Sequence, residues 1–383
     1  MSNLDEFFEE LRPDELDGYG PIAVKELKKE KNVVGTYCIF TPYELISAAE
    51  AIPVTLCSTS DATIKEAEQH LPRNLCPLIK SSYGYALTDK CPYFHFADLV
   101  VGETTCDGKK KMYEYLGRMT PVHVMQLPQS NNREEDFENW KEEMIILKNA
   151  LEEKFNVTIT DQRLKEEIKK KNLERETLKE FYQLSQLTPP PLYGTEILQV
   201  LDISKFTFDK SLANQRTRNI IEEVKKSYNN GERRISEDAP RILITGCPIG
   251  QATEKVVELV EESGGVVVCF ENCSGVKGNE ELVDENIAPI DALTEKYLNT
   301  PCSCMSPNDN RIDLLSELID EYQVDGVIDM VLQACHTYNV ETFRIKSFVT
   351  DKKNIPYISL ETDYSQSDVG QLKTRISAFV EML

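Results

Sequence analysis

Cysteine is the residue type in this sequence with the clearest capacity for chemistry. The chain has 383 residues and 11 cysteines, which are Cys38, Cys57, Cys76, Cys91, Cys106, Cys247, Cys269, Cys273, Cys302, Cys304 and Cys335. An odd number of cysteines, in a chain whose first residues do not resemble a secretory leader, argues against a disulfide framework. We therefore expect reduced thiols, and each one taken alone is as well explained by simple burial as by function.

The spacing of the cysteines favours some kinds of metal or redox site over others. The sequence contains no CxxC and no CxxCH, so thioredoxin-like chemistry and c-type haem attachment are not indicated. Structural zinc stays open but is disfavoured, because the one close pair is Cys302 and Cys304. Widely spaced thiolates suit an iron–sulfur cluster, since its cysteine ligands can come from different loops.

Charge and hydrophobicity narrow the class of partner. The formal net charge is −22, from 65 acidic and 43 basic side chains, which makes nucleic acid an unfavourable partner. No apolar segment approaches the roughly 20 residues that cross a bilayer, and the start, MSNLDEFFEE, lacks the regions of a signal peptide. We expect a globular cytoplasmic protein with no membrane partner.

Strand and helix patterns alternate in two regions of the chain. The first region has the apolar runs NVVGTYCIF, AIPVTLCS, FADLVVGE and PVHVMQLP, and the second has RILITG, GGVVVCFE, VDGVIDMV and IPYISLE. In the second region, helices are expected after the first, third and fourth runs. This alternation is typical of parallel sheets with crossover helices.

The segment between these regions is charged and helical, and it ends at three consecutive prolines, 189–191. We predict an α/β fold with two Rossmann-like parallel-sheet domains facing a cleft and a helical insertion between them. The predicted boundaries are 1–130 for an N-terminal helix and a first α/β domain with most cluster cysteines, 131–235 for a helical domain, and 236–383 for a second α/β domain.

The cysteines gather where parallel sheets present ligands, which is beyond the carboxyl ends of the strands. The cysteines at or just beyond predicted strand ends are Cys38, Cys57 and Cys106 in the first region and Cys247, Cys269 and Cys335 in the second. Random burial would scatter thiols along strands and helices alike. This placement favours a shared functional role.

Several cysteines also lie near predicted helix starts. Cys76 and Cys91 each precede a proline, and Cys106 precedes the short predicted helix DGKKKMYEYLG. After Cys38 the sequence Thr41-Pro42-Tyr43-Glu44 predicts a capping box with proline at the first helical position. Helix amino termini carry partial positive charge, which favours thiolates and the anionic clusters that thiolates hold.

Five segments carry a resemblance to a known family: GTYCIFTPYELISAA, LCPLIKSSYG, ADLVVGETTCDGKKKMYEYL, YQVDGVIDMVLQACHTYNVE and IPYISLETDYSQSDVGQLKTRISAFVEML. Together they resemble the 2-hydroxyacyl-CoA dehydratase and benzoyl-CoA reductase family over nearly the whole chain. Within it, the sequence most resembles the double-cubane cluster proteins, which are homodimers whose two [4Fe–4S] cubanes share a bridging sulfide, written [8Fe–9S].

The resemblance implies a ligand set. The family's three cubane ligands fall on Cys76, Cys106 and Cys335, and the position that faces an open iron in some dehydratases falls near Cys38. A double cubane wants about six thiolates. We expect Cys91 to be a further ligand, and Cys302 or Cys304, ahead of Cys273, to complete the set.

The resemblance also implies a mechanism and partners. A separate homodimeric iron–sulfur reductase would hydrolyse ATP and deliver low-potential electrons to the cluster, where small unsaturated molecules are reduced. The sequence has no GxxxxGK[ST] phosphate loop, so the ATP chemistry would come from that partner. A single-cubane subunit of a 2-hydroxyacyl-CoA dehydratase, and a non-enzymatic metal-binding or electron-carrier protein, are the alternatives.

Other residues are secondary candidates. His336 and Glu103 are potential proton donors at the cluster. A lysine among Lys109, Lys110 and Lys111 is a candidate to offset cluster charge or to meet an acidic face of the reductase. At least one of the three is expected to be only solvated, because they point in different directions around a helix. The segment TGCPIGQATEKVVELV, with Glu271 beyond it, lacks the G-x-G-x-x-G fingerprint, so a structural turn is favoured over a dinucleotide site.

Overall fold

The computed structural model describes residues 2–383. The strands of the described chain are β1 (Asn32–Thr36), β2 (Ala51–Thr55), β3 (Leu99–Glu103), β4 (Val122–Met125), β5 (Arg241–Gly246), β6 (Val266–Phe270), β7 (Gly326–Leu332) and β8 (Tyr357–Thr362). The helices are α1 (Asn3–Glu10), α2 (Gly20–Leu27), α3 (Tyr43–Ala48), α4 (Ile64–Ala67), α5 (Pro77–Leu87), α6 (Asp107–Leu116), α7 (Glu134–Phe155), α8 (Asp161–Gln183), α9 (Gly194–Phe206), α10 (Lys210–Asn229), α11 (Gln251–Glu262), α12 (Pro289–Leu298), α13 (Asp309–Glu321), α14 (His336–Ser347) and α15 (Val369–Val380).

The strands form two four-stranded sheets with the same order. The first is β2-β1-β3-β4 and the second is β6-β5-β7-β8, and every pair of neighbouring strands is parallel. All residues of β5, β6 and β7 are buried, as expected for parallel strands covered on both faces. The predicted α/β fold with two Rossmann-like parallel sheets is confirmed.

The chain divides into two compact units, each built around one sheet. The first-sheet unit comprises Val24–Leu173 and Glu281–Arg311; the second-sheet unit comprises the segment ending at Ala23, Glu174–Glu280 and Ile312–Leu383. The predicted helical segment 131–235 therefore contributes α7 and most of α8 to one unit, and α9 and α10 to the other. Whether 1–130, 131–235 or 236–383 folds independently stays a prediction.

The core of the first-sheet unit packs α7 against the sheet and α3. The apolar face of α7 repeats every three or four residues, and Trp140, Met144, Leu147 and Leu151 on it are fully buried. The Trp140 ring meets Phe40 edge to face, with ring centroids 6.5 Å apart. This core fixes the loop after β1, which carries Cys38.

Two local expectations are wrong. The helix after Cys38 begins at Tyr43 with Pro42 as its N-cap residue, and no side chain caps it. The predicted capping box fails because Thr41 donates a hydrogen bond to Glu103, and Glu44 accepts one from Tyr297 at 2.7 Å. The region between β6 and β7 also contains α12 and α13, where no helix was predicted.

Within residues 2–383, no helix combines the length and apolar character needed to cross a lipid bilayer.

Candidate functional site at the carboxyl edges of the sheets

Three cysteines occupy the same position relative to a helix. Cys76 is the N-cap residue of α5, Cys106 that of α6, and Cys335 that of α14, and none of the three uses its side chain to cap its helix. A helix start presents backbone N–H groups and partial positive charge, both of which stabilise a thiolate. The three residues predicted as cubane ligands therefore share one electrostatic setting.

The strand order of the first sheet collects three cysteines at one edge. Strand β1 lies between β2 and β3, and Cys38, Cys57 and Cys106 follow the carboxyl ends of these three neighbouring strands. From β1, one connection leads to β2 on one side and the chain later returns to β3 on the other side, so the strand order reverses between β1 and β3. Ligands usually bind at such a point in parallel sheets. We call this edge, with its loops, the first edge.

The helices that begin at Cys76 and Cys106 pack against each other at their first turns. Gly108 of α6 has no Cβ, and a Cβ there would lie 2.6 Å from Ile79 Cδ1 and 2.9 Å from Leu75 Cδ1. Both side chains flank the start of α5. The close approach of the two helix amino termini thus depends on glycine at position 108.

A buried lysine lies at the first edge, three residues after Cys106. Lys109 is 9% exposed, and its Nζ donates a hydrogen bond of 2.8 Å to the backbone oxygen of Tyr37. The Cys57 thiol donates to that same oxygen at 3.1 Å. Burial alone would lower the pKa of Lys109, but the nearby Cys38, Tyr113 and Cys57 groups outweigh it and raise the pKa well above its usual value.

The other two lysines of the run are on the surface. Lys110 pairs with Asp107 at 3.1 Å, and Lys111 pairs with Glu114 at 2.7 Å. The three lysines therefore divide as the helical spacing predicts, and the structure identifies Lys109 as the inward one.

Glu103, a predicted proton donor, lies at the first edge as the last residue of β3. Its side chain is fully buried, and one carboxylate oxygen accepts a hydrogen bond from the Thr41 hydroxyl. In the described chain its other oxygen, Oε2, has no hydrogen-bond partner, and neither does the hydroxyl of Tyr113. Burial raises the pKa of Glu103, and Lys109 and Thr41 oppose that shift only in part.

The remaining predicted cysteines of this unit have different settings. Cys91 is buried, its sulfur accepts from the Phe94 amide at 3.3 Å, and burial raises its pKa. Cys302 belongs to the apolar core of the unit, and Cys304 and Cys38 pack against that core. That Cys76, Cys106 or any of these thiols is a cluster ligand stays a prediction.

The second sheet has a corresponding edge, the second edge, around the start of α14. His336, the other predicted proton donor, is exposed as the first residue of α14. Two residues later, Tyr338 is buried, and its hydroxyl accepts from Lys277 Nζ at 3.1 Å and lies 3.7 Å from the sulfur of Cys273. The sequence did not identify Lys277 and Tyr338 as residues of this edge. The run Cys273-Ser-Gly-Val-Lys277, which follows β6, was the signal that could have indicated Lys277.

Glu271 has a structural role at the second edge. Its side chain forms a fully buried ion pair with Lys277 at 2.8 Å and accepts from the Thr245 hydroxyl at 2.7 Å. At Gly246, where φ is +110°, a Cβ would lie 2.2 Å from the Met330 oxygen. The β5–α11 connection therefore begins with a tight turn that requires glycine at position 246.

The donor set fits an iron–sulfur cluster by its chemistry. All eleven cysteines are thiols in the structure. Among residues 2–383, no three His, Cys, Asp or Glu side chains converge closely enough to hold a single metal ion. A cluster spreads its ligands further apart, because each thiolate binds a different iron, and helix starts beside a buried ammonium favour its negative charge.

Sequence comparison places these features among dehydratase subunits. The family described as "2-hydroxyglutaryl-CoA dehydratase, D-component" matches residues 38–383. The chain is 53% identical to the putative dehydratase subunit YjiM of Escherichia coli strain K12, covering 100% of this chain and 99% of that protein.

Two more distant relatives have more specific names. The chain is 24% identical to the (R)-phenyllactyl-CoA dehydratase beta subunit of Clostridium sporogenes, with 100% of both chains covered. It is 20% identical to the lactoyl-CoA dehydratase subunit beta of Anaerotignum propionicum, covering 94% of this chain and 95% of that one.

Proposed function

The chain belongs to the 2-hydroxyglutaryl-CoA dehydratase D-component family, and we propose that it is the cluster-binding subunit of an iron–sulfur enzyme of this kind. The observation that carries the proposal is the repeated placement of Cys76, Cys106 and Cys335 as N-cap residues whose side chains do not cap their helices. Three helix starts with thiols are poorly explained by burial alone, and they match the electrostatics that a thiolate needs.

The bound cluster would supply one-electron reduction at low potential, a chemistry that no side chain provides. The electrons would come from a separate ATP-hydrolysing iron–sulfur reductase. This chain's own residues would hold thiolates at Cys76, Cys106 and Cys335, with Cys38 close to β1. Glu103, whose pKa is raised by burial, and the exposed His336 are the proposed proton donors.

The finer form of the proposal is a double-cubane [8Fe–9S] reductase component that is a homodimer and reduces small unsaturated molecules. The thiol-rich first-sheet unit supports it, since Cys38, Cys91, Cys302 and Cys304 lie there in addition to the two N-cap cysteines. One cubane needs only three or four thiolates, so this surplus favours the larger cluster.

The second candidate is a single-cubane subunit of a 2-hydroxyacyl-CoA dehydratase that works with a different subunit. The names of the phenyllactyl-CoA and lactoyl-CoA dehydratase beta subunits favour it. Calorimetric binding of a 2-hydroxyacyl-CoA would support this candidate over the first.

Iron and acid-labile sulfide, measured on anaerobically purified protein, test the proposal. We expect about eight iron atoms per chain for the double cubane and about four for the dehydratase-like cluster. Cys106→Ser should lose most of the iron and of the visible absorbance. Cys269→Ala is the matched control, because Cys269 is fully buried within β6, and it should keep both.

Three results would contradict the proposal. Zinc without iron would favour a non-enzymatic metal-binding protein. An unchanged spectrum in Cys106→Ser would remove the ligand assignment, and equal iron loss in Cys269→Ala would show that both substitutions act through folding. Light scattering on the same preparation tests the homodimer.

A further inference from the structure

The buried ammonium of Lys109 makes no direct contact with a carboxylate in the part of the chain that the structure describes. Its hydrogen bond goes to the backbone oxygen of Tyr37, and Glu103 acts on it only from beyond ion-pair distance. A buried, unpaired positive charge is costly, and proteins retain one where a negative charge meets it. We therefore ask which negative charge balances that of Lys109.

Glu103 is a poor answer. Its carboxylate is fully buried and contacts Thr41 rather than Lys109, and burial raises its pKa, which favours the neutral acid. Among the groups that raise the pKa of Lys109, Glu103 ranks after Cys38, Tyr113 and Cys57.

The thiols are the better answer. The Lys109 ammonium and the Cys57 thiol lie within hydrogen-bond distance of one oxygen atom, that of Tyr37. Cys38 is the next residue after Tyr37, and it is the strongest of the charges that raise the pKa of Lys109. Cys38 and Cys57 thus act on this cation, and Cys106, the N-cap residue of the same helix, precedes it by three residues.

We propose that Lys109 is the fixed cation that balances the negative charge of the cluster that Cys106 helps to hold. This inference rests on the function proposed above and adds a positioning residue to it. Reduction adds one negative charge to a cluster, so a fixed cation nearby favours the reduced form and raises the reduction potential. The low dielectric of a buried site strengthens this effect, and salt screens it little.

The assignment extends to Cys57, which the sequence did not select as a site residue. Its thiol is held at the first edge by the same backbone oxygen that holds Lys109. Through this oxygen, Lys109 lies beside the residues that follow both β1 and β2.

An anaerobic redox titration of the holoprotein, followed by electron paramagnetic resonance, tests the proposal. In Lys109→Met the cluster should be harder to reduce, with the equilibrium constant for reduction lower by about tenfold. Lys109→Arg keeps the charge and should titrate close to the wild type. Lys110→Met is the matched control, because Lys110 pairs with Asp107 on the surface, and it should leave the potential unchanged.

Iron content, measured first on every variant, distinguishes a failure of the proposed function from a failure of the role proposed for Lys109. Wild-type protein without iron overturns the proposed function and this inference with it. If the wild type and Lys109→Met both carry the cluster at equal potentials, the role of Lys109 is refuted and the proposed function stands. If Lys109→Met loads no iron, cluster binding in Lys109→Arg supports the role of the positive charge. If Lys109→Arg also loads no iron, that role is refuted.

Discussion

The two sheets have the same strand order, but the buried lysines at their carboxyl edges have different partners. At the second edge, Lys277 forms an ion pair with Glu271 at 2.8 Å, and both side chains are inaccessible to solvent. At the first edge, Lys109 donates to the backbone oxygen of Tyr37. One lysine is neutralised by its own unit, and the other keeps a charge that can act on thiols.

The carboxylates and tyrosines of the two edges repeat the contrast. Glu271 accepts from Thr245 and pairs with Lys277, and Tyr338 accepts from Lys277. Buried oxygens without a hydrogen-bond partner occur at both edges within residues 2–383: Glu103 Oε2 and the Tyr113 hydroxyl at the first, and Asn272 Oδ1 at the second. The edges differ in what contacts the lysine. At the second edge the carboxylate and the tyrosine both contact it, and at the first edge neither Glu103 nor Tyr113 forms a hydrogen bond with it.

The largest expected effect is at the second edge. Lys277→Met leaves the buried Glu271 without its counter-charge, and we expect the free energy of unfolding to fall by about 3–5 kcal/mol. Lys109→Met in the protein without cluster should cost far less, because it breaks no ion pair. Urea denaturation followed by circular dichroism measures both.

A double variant sharpens this comparison. Lys277→Met combined with Glu271→Gln removes both charges and should recover part of the loss. Equal losses for Lys277→Met and Lys109→Met would mean that the two edges do not differ as described.

An intermediate effect is expected where Tyr113 packs on β3. A Cβ at Gly102 would lie 2.3 Å from Cζ of Tyr113, so Gly102→Ala must displace the ring. Overpacking of this kind costs about 1–3 kcal/mol, again measured by urea denaturation. Gly370→Ala in α15 is the control, because a Cβ there meets no atom within 4 Å, and it should be neutral or slightly stabilising.

This substitution also tests whether the first edge depends on its aromatic ring. Gly102→Ala should lower the iron content, since Tyr113 lies among the groups that act on Lys109. Full iron occupancy with reduced stability would restrict Gly102 to a packing role.

The smallest effect concerns pH. The pKa of Glu103 is raised above its ordinary value of 4.5 by burial, so the native state binds the proton more tightly than the unfolded state. Wild-type stability should therefore fall as pH rises from about 4.5 through the raised native pKa, and this fall should be absent in Glu103→Gln. Urea midpoints at pH 4.5 and pH 8 measure the difference. A constant gap between the two proteins at both pH values would show that Glu103 is ionised alike in both states.

Much of the fold and part of the candidate site could be predicted from local sequence. All eight strands coincide with apolar runs. For β3, β5, β6 and β7 the reason is burial along the whole strand, which needs continuous hydrophobic residues. Cys76 before Pro77 and Cys106 after a strand were placed correctly near helix starts, since proline at the first helical position and strand–turn–helix order are local signals. The capping box after Cys38 was wrong because Thr41 and Glu44 bind partners distant in sequence.

The sequence by itself determined the α/β class, the strand positions and the gathering of thiols at strand ends and helix starts, because these follow from residues that are neighbours in the chain. Only the tertiary structure decided that Lys109 is buried while Lys110 and Lys111 are exposed, and that Glu271 pairs with Lys277. Three consecutive lysines are chemically identical, and a helix rotates each by about 100° from the last. Which one points inward, and which anion it meets, is set by packing against residues far away in sequence.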